Sequence, residues 1–389
     1  MSDSFTEVTE EGWLGQIRNS FKSVLLGIIL FLAAFPTLFL NESCYVKRKK
    51  ALNEGKGAVV HVSAQTVDAA NEGKLVHMTG KATTDEILQD EMFDISENAI
   101  KLSRVAEMYQ WKEEKETETH RKTGGRKVTE THYEYTKTWA DSLISSSNFK
   151  KPQGHQNPTT KPYKSKSWVA ENINLGAFNL SSSLVNRIDA WDTIPVTEEH
   201  LNKLPTNLAE KFKVSGGSFY MGDDPTTPTV GDMRISFKVV KPTTVSLYAK
   251  QIGKTFEPYT TEAGGTLERL QVGSHSAEEM FAAAQRENIL RLWALRIGGF
   301  LMMAIGIMMV FSPLVAVANV VPFFGDLIQG GGCLLGGALG FGLSLLTISI
   351  AWLSYRPIIG IPLLVVGVGS FVAFVVVKKK APSQEPSSM

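Results

Sequence analysis

Cysteine is nearly absent: Cys44 and Cys333 are the only two in 389 residues, too few for a disulfide framework, and neither has a metal-ligand partner beside it. Charge of one sign is equally lacking. Forty basic residues face 39 acidic ones, so the formal net charge is +1 and the basic footprint of a nucleic-acid binder is missing; nucleic acid is not an expected partner. The usual catalytic signatures are absent too: no glycine loop followed by Lys and Ser or Thr, no serine elbow, no histidine pair around a glutamate, no cysteine pair. Charged residues make up 20% of the chain, yet four long stretches contain almost none, which excludes an ordinary soluble protein. The average composition describes two materials joined together, one apolar and one polar.

The first apolar run covers residues 24–40 and follows a tail, 1–23, in which Trp13, Leu14, Ile17 and Phe21 recur at helical spacing. That spacing admits an interfacial helix or an ordinary amphipathic turn. No small-x-small cleavage site follows the run, so it reads as an uncleaved anchor. Three further runs, 297–318, 333–353 and 358–377, have the length of membrane spans, and a short basic then polar tail, 378–389, closes the sequence. Pro313 punctuates the second span, and Tyr355, Arg356 and Pro357 make a tight turn that sets the third and fourth antiparallel. The expected fold class is an α+β membrane protein: four transmembrane helices, with a large, mainly β domain (41–296) inserted between helices 1 and 2. Four spans place both termini on one side of the membrane and the domain on the other. Lys47, Arg48, Lys49, Lys50, Arg291, Arg296 and Arg356 flank the spans on the domain side, and this count mildly favours a cytoplasmic domain.

Within the domain, Ala58–Ala64 and Leu75–Thr79 read as short strands, and Ile100–His120 with Lys127–Trp139 reads as a long hairpin around Thr123, Gly124, Gly125 and Arg126. Further strands are expected at Ser218–Met221, Met233–Val240, Thr244–Lys250 and Thr266–Val272. Ser276 and Glu279 form a capping box, and the helix they start has no breaker before Gly298, so it should run unbroken from the domain into the second span. The seven histidines are scattered. His61 and His77 approach each other if their strands pair, where hydrogen-bonded structural histidines are favoured over a metal pair; no cofactor or metal is expected. The stretch Arg104, Glu107, Tyr109, Gln110, Trp111 admits a ligand edge or, more simply, a strand with one buried aromatic face and one charged face. In the third span Gly332, Gly336 and Gly340 recur every fourth residue and make a smooth stripe for close helix contact, either within the chain or with a second copy.

Several islands taken together carry a resemblance: Asn71-Glu72-Gly73-Lys74-Leu75-Val76-His77, Glu107-Met108-Tyr109-Gln110-Trp111, Gly154-His155-Gln156-Asn157-Pro158, Val230-Gly231-Asp232-Met233-Arg234-Ile235-Ser236-Phe237, Ser276-Ala277-Glu278-Glu279 and Tyr355-Arg356-Pro357. In residues and in order they resemble the LUMA family, four-pass proteins of the endomembrane system and inner nuclear membrane with bacterial relatives. The resemblance covers nearly the whole chain. It implies a large domain on the lumenal side, or the periplasmic side in a bacterium, against the charge count. It also implies self-association through the membrane segments and, in an animal, nuclear-envelope organisation with lamins and emerin-like partners. It brings no established catalytic residues. Glu107, Tyr109, Trp111, His155, Asn157 and Arg234 are the expected motif surface, and Gly332, Gly336 and Gly340 the expected oligomerisation stripe. The leading expectation is a non-enzymatic, self-associating membrane scaffold in contact with membrane lipids. A channel or transporter subunit, and an enzyme or sensor acting on envelope or lipid ligands through the large domain, are the alternatives.

Overall fold

The computed structural model describes residues 3–122, 126–314 and 322–355, with a few isolated residues between 361 and 372. It divides into two compact units: one comprises residues 1–7, 51–117 and 131–282, the other 8–50, 118–130 and 283–389. Six principal strands are β1 (Asp3–Glu11), β2 (Leu75–Thr83), β3 (Lys101–Lys122), β4 (Arg126–Ala140), β5 (Met233–Val240) and β6 (Thr243–Ile252). Three long helices are α1 (Trp13–Ala58), α2 (Ala277–Val310) and α3 (Pro322–Tyr355).

The first unit is the β domain, with two main sheets. In the eight-stranded sheet β1, β4, β3 and β5 are neighbours in that order, followed by Ser218–Met221 and Lys213–Ser215. In the seven-stranded sheet β2 pairs antiparallel with β6 over eight positions, from Thr243 opposite Ala82 to Lys250 opposite Leu75. Alternation along the strands decides which residues enter the core. On β5, Met233, Ile235, Phe237 and Val239 are buried; on β3, Leu102, Arg104, Ala106, Met108 and Gln110 are buried while the odd-numbered residues between them stay half-exposed. Residues from both sheets join one apolar cluster, which includes Val76, Met78, Leu102, Met108, Phe237 and Leu247. At its centre the fully buried Phe93 ring meets Phe212, Phe219, Phe237 and Tyr163 at centroid distances of 5.5–5.9 Å. Each such ring is worth roughly 1.5–3 kcal/mol of burial. Arg104 enters the same core and is tolerated because Asp90 accepts two bonds from its Nη1 at 2.7 and 2.9 Å, while Lys164 O accepts from its Nε at 3.0 Å. At one turn only glycine fits: Gly176 has φ +62°, and a Cβ there would run into the carbonyl oxygen of Ala64.

The expected hairpin is present as β3 and β4, with its Thr123, Gly124 and Gly125 tip outside the described residues. Within the expected tail, residues 3–11 form β1, an edge strand, and the residues from Trp13 to Phe21 are helical.

Among the described residues three helices are long and apolar enough to cross a membrane, within 18–58, 277–310 and 336–353. Helix α1 has 46 residues, roughly 70 Å at 1.5 Å per residue, and so extends well past its apolar run. Helix α2 starts with the expected capping box: Ser276 Oγ accepts from Glu279 N–H at 3.2 Å and Glu279 Oε2 accepts from Ser276 N–H at 2.9 Å. It continues without a break to Val310; Phe311 forms a turn and residues 312–314 are helical again, and Pro313, which has no N–H to donate and whose ring crowds the turn before it, accounts for the interruption. The fourth expected span, 358–377, and the turn at Arg356 and Pro357 lie outside the described residues but for isolated helical positions.

Candidate functional site

Glu107, Tyr109 and Trp111 share the half-exposed face of β3, so strand alternation alone lines them up. β5 lies antiparallel to β3 with Arg234 directly opposite Glu107, and Arg234 Nε donates to Glu107 Oε2 at 2.6 Å. The Arg234 guanidinium lies 4.7 Å from the centroid of Trp139, whose ring is 5.1 Å from Tyr109. One end of the face is therefore a charge pair laid over two aromatic rings.

The other end is built by the segment 141–158. Asn157 Oδ1 accepts from Trp111 N–H at 2.7 Å, and its Nδ2 donates to Trp111 O at 2.9 Å and Ile144 O at 3.0 Å, so one side chain replaces a missing strand neighbour. The buried Gln110 does the same from the core side, donating to Ser142 O at 2.9 Å and accepting from Ile144 N–H at 2.8 Å. His155 is 1% exposed, which makes its surroundings decisive. Its ring stacks on Tyr135 at 3.9 Å and meets Trp111 edge-on at 4.8 Å, with Nδ1 2.9 Å from Lys151 O and Nε2 2.9 Å from Asp3 Oδ2. Tyr135 donates to Glu113 Oε2 at 2.7 Å and accepts from Lys151 N–H at 2.9 Å. Burial first, and the Glu113 bond second, push the Tyr135 hydroxyl up to about 12.

All six expected motif residues thus fall in one neighbourhood, and each is engaged by another part of the domain. Arg234 and Glu107 remain partly open to solvent; His155 does not. Such an arrangement fixes the loop 141–158 to the sheet and presents a rigid aromatic and charged face. It is suited to recognition by shape and charge. Among the described residues no group of three His, Cys, Asp or Glu is placed to hold a metal. His61 and His77 do meet, with ring centroids 5.1 Å apart, but His77 Nε2 is directed to His275 O at 3.0 Å. Burial holds the His77 imidazole below its ordinary value, and the His275 carbonyl opposes that.

The glycine stripe has a partner inside the chain. A Cβ on Gly336 would lie 2.7 Å from Met308 Cγ and 3.2 Å from Ala304 O, and one on Gly340 would lie 3.0–3.2 Å from the backbone and Cβ of Ala304, so α3 rests on α2 at these positions. Gly332 is in α3, and its surroundings lie outside the described residues. Helices α1 and α2 use the same device: Gly27 and Gly306 face each other's backbone, each Cβ position 2.8 Å from the other's carbonyl oxygen.

One constellation escaped the sequence reading. Glu42, fully buried on α1, accepts from Arg296 of α2 at 2.6 and 2.9 Å and from the Trp352 indole N–H of α3, and so ties three helices at one level. The Arg296 guanidinium also lies 4.9 Å from the Trp293 ring and 5.8 Å from Trp352. The available signal was positional: an acid just after one apolar run and a base just before the next, which an antiparallel pair brings level.

Comparison with known proteins accounts for the motif islands. The family model described as Transmembrane protein 43 matches residues 108–357. Transmembrane protein 43 of Rattus norvegicus is 32% identical over 91% of this chain and 89% of its own length, and that of Homo sapiens is 31% identical over 97% and 94%. The Transmembrane protein 43 homolog of Drosophila melanogaster is 28% identical over 92% and 95%. No solved structure matches. With the family model covering well over half of the sequence and these relatives nearly all of it, the chain belongs to the Transmembrane protein 43, or LUMA, family of membrane proteins.

Proposed function

We propose that the protein is a non-enzymatic membrane scaffold that associates with itself and holds other membrane proteins in complexes. The observation that carries this reading is the motif face. Its six residues are spent on each other and on the loop 141–158, which supports a shaped binding surface over a reaction centre with groups left to act on a substrate. The half-exposed Glu107, Arg234 and Trp139 are the part offered to partners. Self-association through α3 uses the side away from Ala304, where Gly337 and Gly342 have nothing within 4 Å of a Cβ and Leu334 and Phe341 are exposed. Following the family, the domain is lumenal in a eukaryote, in the endoplasmic reticulum or inner nuclear membrane, with lamins and emerin-like proteins among the partners in an animal; in a bacterium it is periplasmic.

Purified full-length protein should form concentration-dependent complexes on cross-linking and give no conductance in planar bilayers. Arg234→Glu, which sets two carboxylates opposite each other, should remove co-purifying proteins while thermal unfolding stays cooperative. A monomer at every concentration, or a partner set unchanged in Arg234→Glu, sinks the proposal.

A further inference from the structure

Strand β1 occupies an edge of the sheet from which it is easily replaced. It lies outermost in the eight-stranded sheet, beside β4, with seven of its nine residues exposed and none buried. Its hold is mainly electrostatic. Asp3 Oδ2 lies 2.9 Å from His155 Nε2 and Asp3 Oδ1 3.7 Å from Lys151 Nζ, while Glu7 Oε1 accepts from Lys150 Nζ at 2.6 Å. Glu7 also accepts from the Tyr133 hydroxyl at 3.3 Å, Thr6 Oγ1 lies 2.8 Å from His132 Nδ1, and farther along Arg126 stands 3.6 Å from Glu10. Apolar packing adds Phe5 against Tyr133, with ring centroids 6.1 Å apart. Ion pairs this open to water are individually weak, so another strand of the same charge can take the place of β1.

The membrane removes β1 from that edge. Residues 3–11 precede the apolar run 24–40 and the sheet follows it, so α1 in crossing a bilayer leaves the two on opposite faces. β4 then presents unpaired backbone donors and acceptors, and among the described residues Lys150 and Lys151 have no other carboxylate in ion-pair contact. We propose that this edge, with Lys150, Lys151 and His155 beside it, docks an acidic extended segment of another protein, added as a strand. β1 shows what the edge accepts: four acids and no base in nine residues, neither proline nor glycine, and Asp3 and Glu7 on the side where the basic groups stand. A second copy is excluded as the occupant because, inserted the same way, it carries its own N-terminus to the far face. The edge is separate from the Glu107–Arg234 pair, so either surface can fail without the other.

In a Cys44→Ala/Cys333→Ala background, Ser4→Cys and Glu210→Cys, both at exposed positions, each supply a single thiol. A membrane-impermeant maleimide should reach them from opposite faces of sealed vesicles. Labelling of both from one face leaves β1 with its sheet and overturns the proposal. The probe for the edge is a fluorescein-labelled peptide of residues 2–12, added to full-length protein in phosphatidylcholine nanodiscs and followed by anisotropy. Its binding should weaken about tenfold in Lys150→Glu/Lys151→Glu. Should that variant unfold early, the parent protein serves with a peptide carrying Asp3→Asn, Glu7→Gln and Glu10→Gln, which should lose as much. Lys81→Glu/Lys241→Glu, the same change of charge at exposed lysines elsewhere in the domain, should bind like the parent. No binding to the parent, equal binding of the acidic and neutralised peptides, or equal loss in both lysine pairs overturns the site. A peptide with Phe5→Pro/Thr6→Pro keeps every charge but cannot pair as a strand, and should bind as poorly as the neutralised one. Binding as tight as that of the unaltered peptide overturns strand addition.

Discussion

The β domain and the helix bundle solve the same problem with opposite materials. In the domain the centre is filled by large side chains, Phe93 among four other aromatic rings, with Phe237, Leu247 and Met78 packed around. In the bundle the contacts are made where side chains are missing, Gly27 on Gly306 and Gly336 and Gly340 on Ala304. The reason is the solvent. Water rewards removal of apolar area, whereas hydrocarbon does not, so membrane helices gain from close backbone approach and from polar ties that lipid cannot replace. Among the described residues each region nevertheless holds a buried carboxylate against an arginine: Asp90 against Arg104 in the domain and Glu42 against Arg296 in the bundle.

The largest expected effect comes from breaking those pairs. Arg296→Leu leaves the fully buried Glu42 carboxylate without its cation and should cost about 3–5 kcal/mol in detergent unfolding measurements. Glu42→Leu/Arg296→Leu, which removes both charges, should recover much of that loss because the helices keep their glycine contacts. Arg104→Leu should cost a similar amount in the domain. If Arg296→Leu is as stable as the parent, Glu42 does not depend on this pair and the ion pair is not what ties α1 to α2.

Glycine substitutions come next. Gly340→Leu puts a branched side chain against the Ala304 backbone and should destabilise the bundle by about 1–3 kcal/mol, as overpacking does. Gly337→Leu, with open space beyond it, should be near neutral for unfolding. The pairing of readouts separates intrachain packing from self-association. A loss of oligomer in Gly340→Leu or Gly336→Leu with unchanged unfolding would assign the stripe to a second copy. Loss of stability with unchanged oligomer assigns it to α2.

The features that were legible in the sequence are those whose cause is local. The Ser276–Glu279 capping box, the alternation on β5 and the first three apolar runs each depend on residues a few positions apart, and each is found in the expected element. The motif face was legible as a set of residues but not as a structure, because the interactions that join it, Asn157 to Trp111 or Arg234 to Glu107, connect residues 46 and 127 positions apart. Glu42 and Arg296 are 254 positions apart, so no local spacing announces their pairing. Strand β1 was missed because a nine-residue polar segment with four acids offers no apolar face to read, and its place is set by β4.

The smallest effect separates the two regions by pH. The three long helices contain no histidine, so acid sensitivity near pH 6 belongs to the β domain. There burial lowers the His77 proton affinity, with His61 adding repulsion while the His275 carbonyl and the Glu278 carboxylate oppose. An unfolded chain takes up the proton near the ordinary value of 6.5 and the folded domain only below it. Between those two points the unfolded state binds more protons, so stability falls as pH falls through the window and levels off beneath the folded value. His77→Gln, which keeps a donor for His275 O, should flatten the thermal unfolding temperature across this window and leave it nearly unchanged at pH 7.5. An equal acid-induced drop in the parent and His77→Gln would place the sensitivity on another group, and the contrast between the histidine-bearing domain and the histidine-free helices would then carry no information about His77.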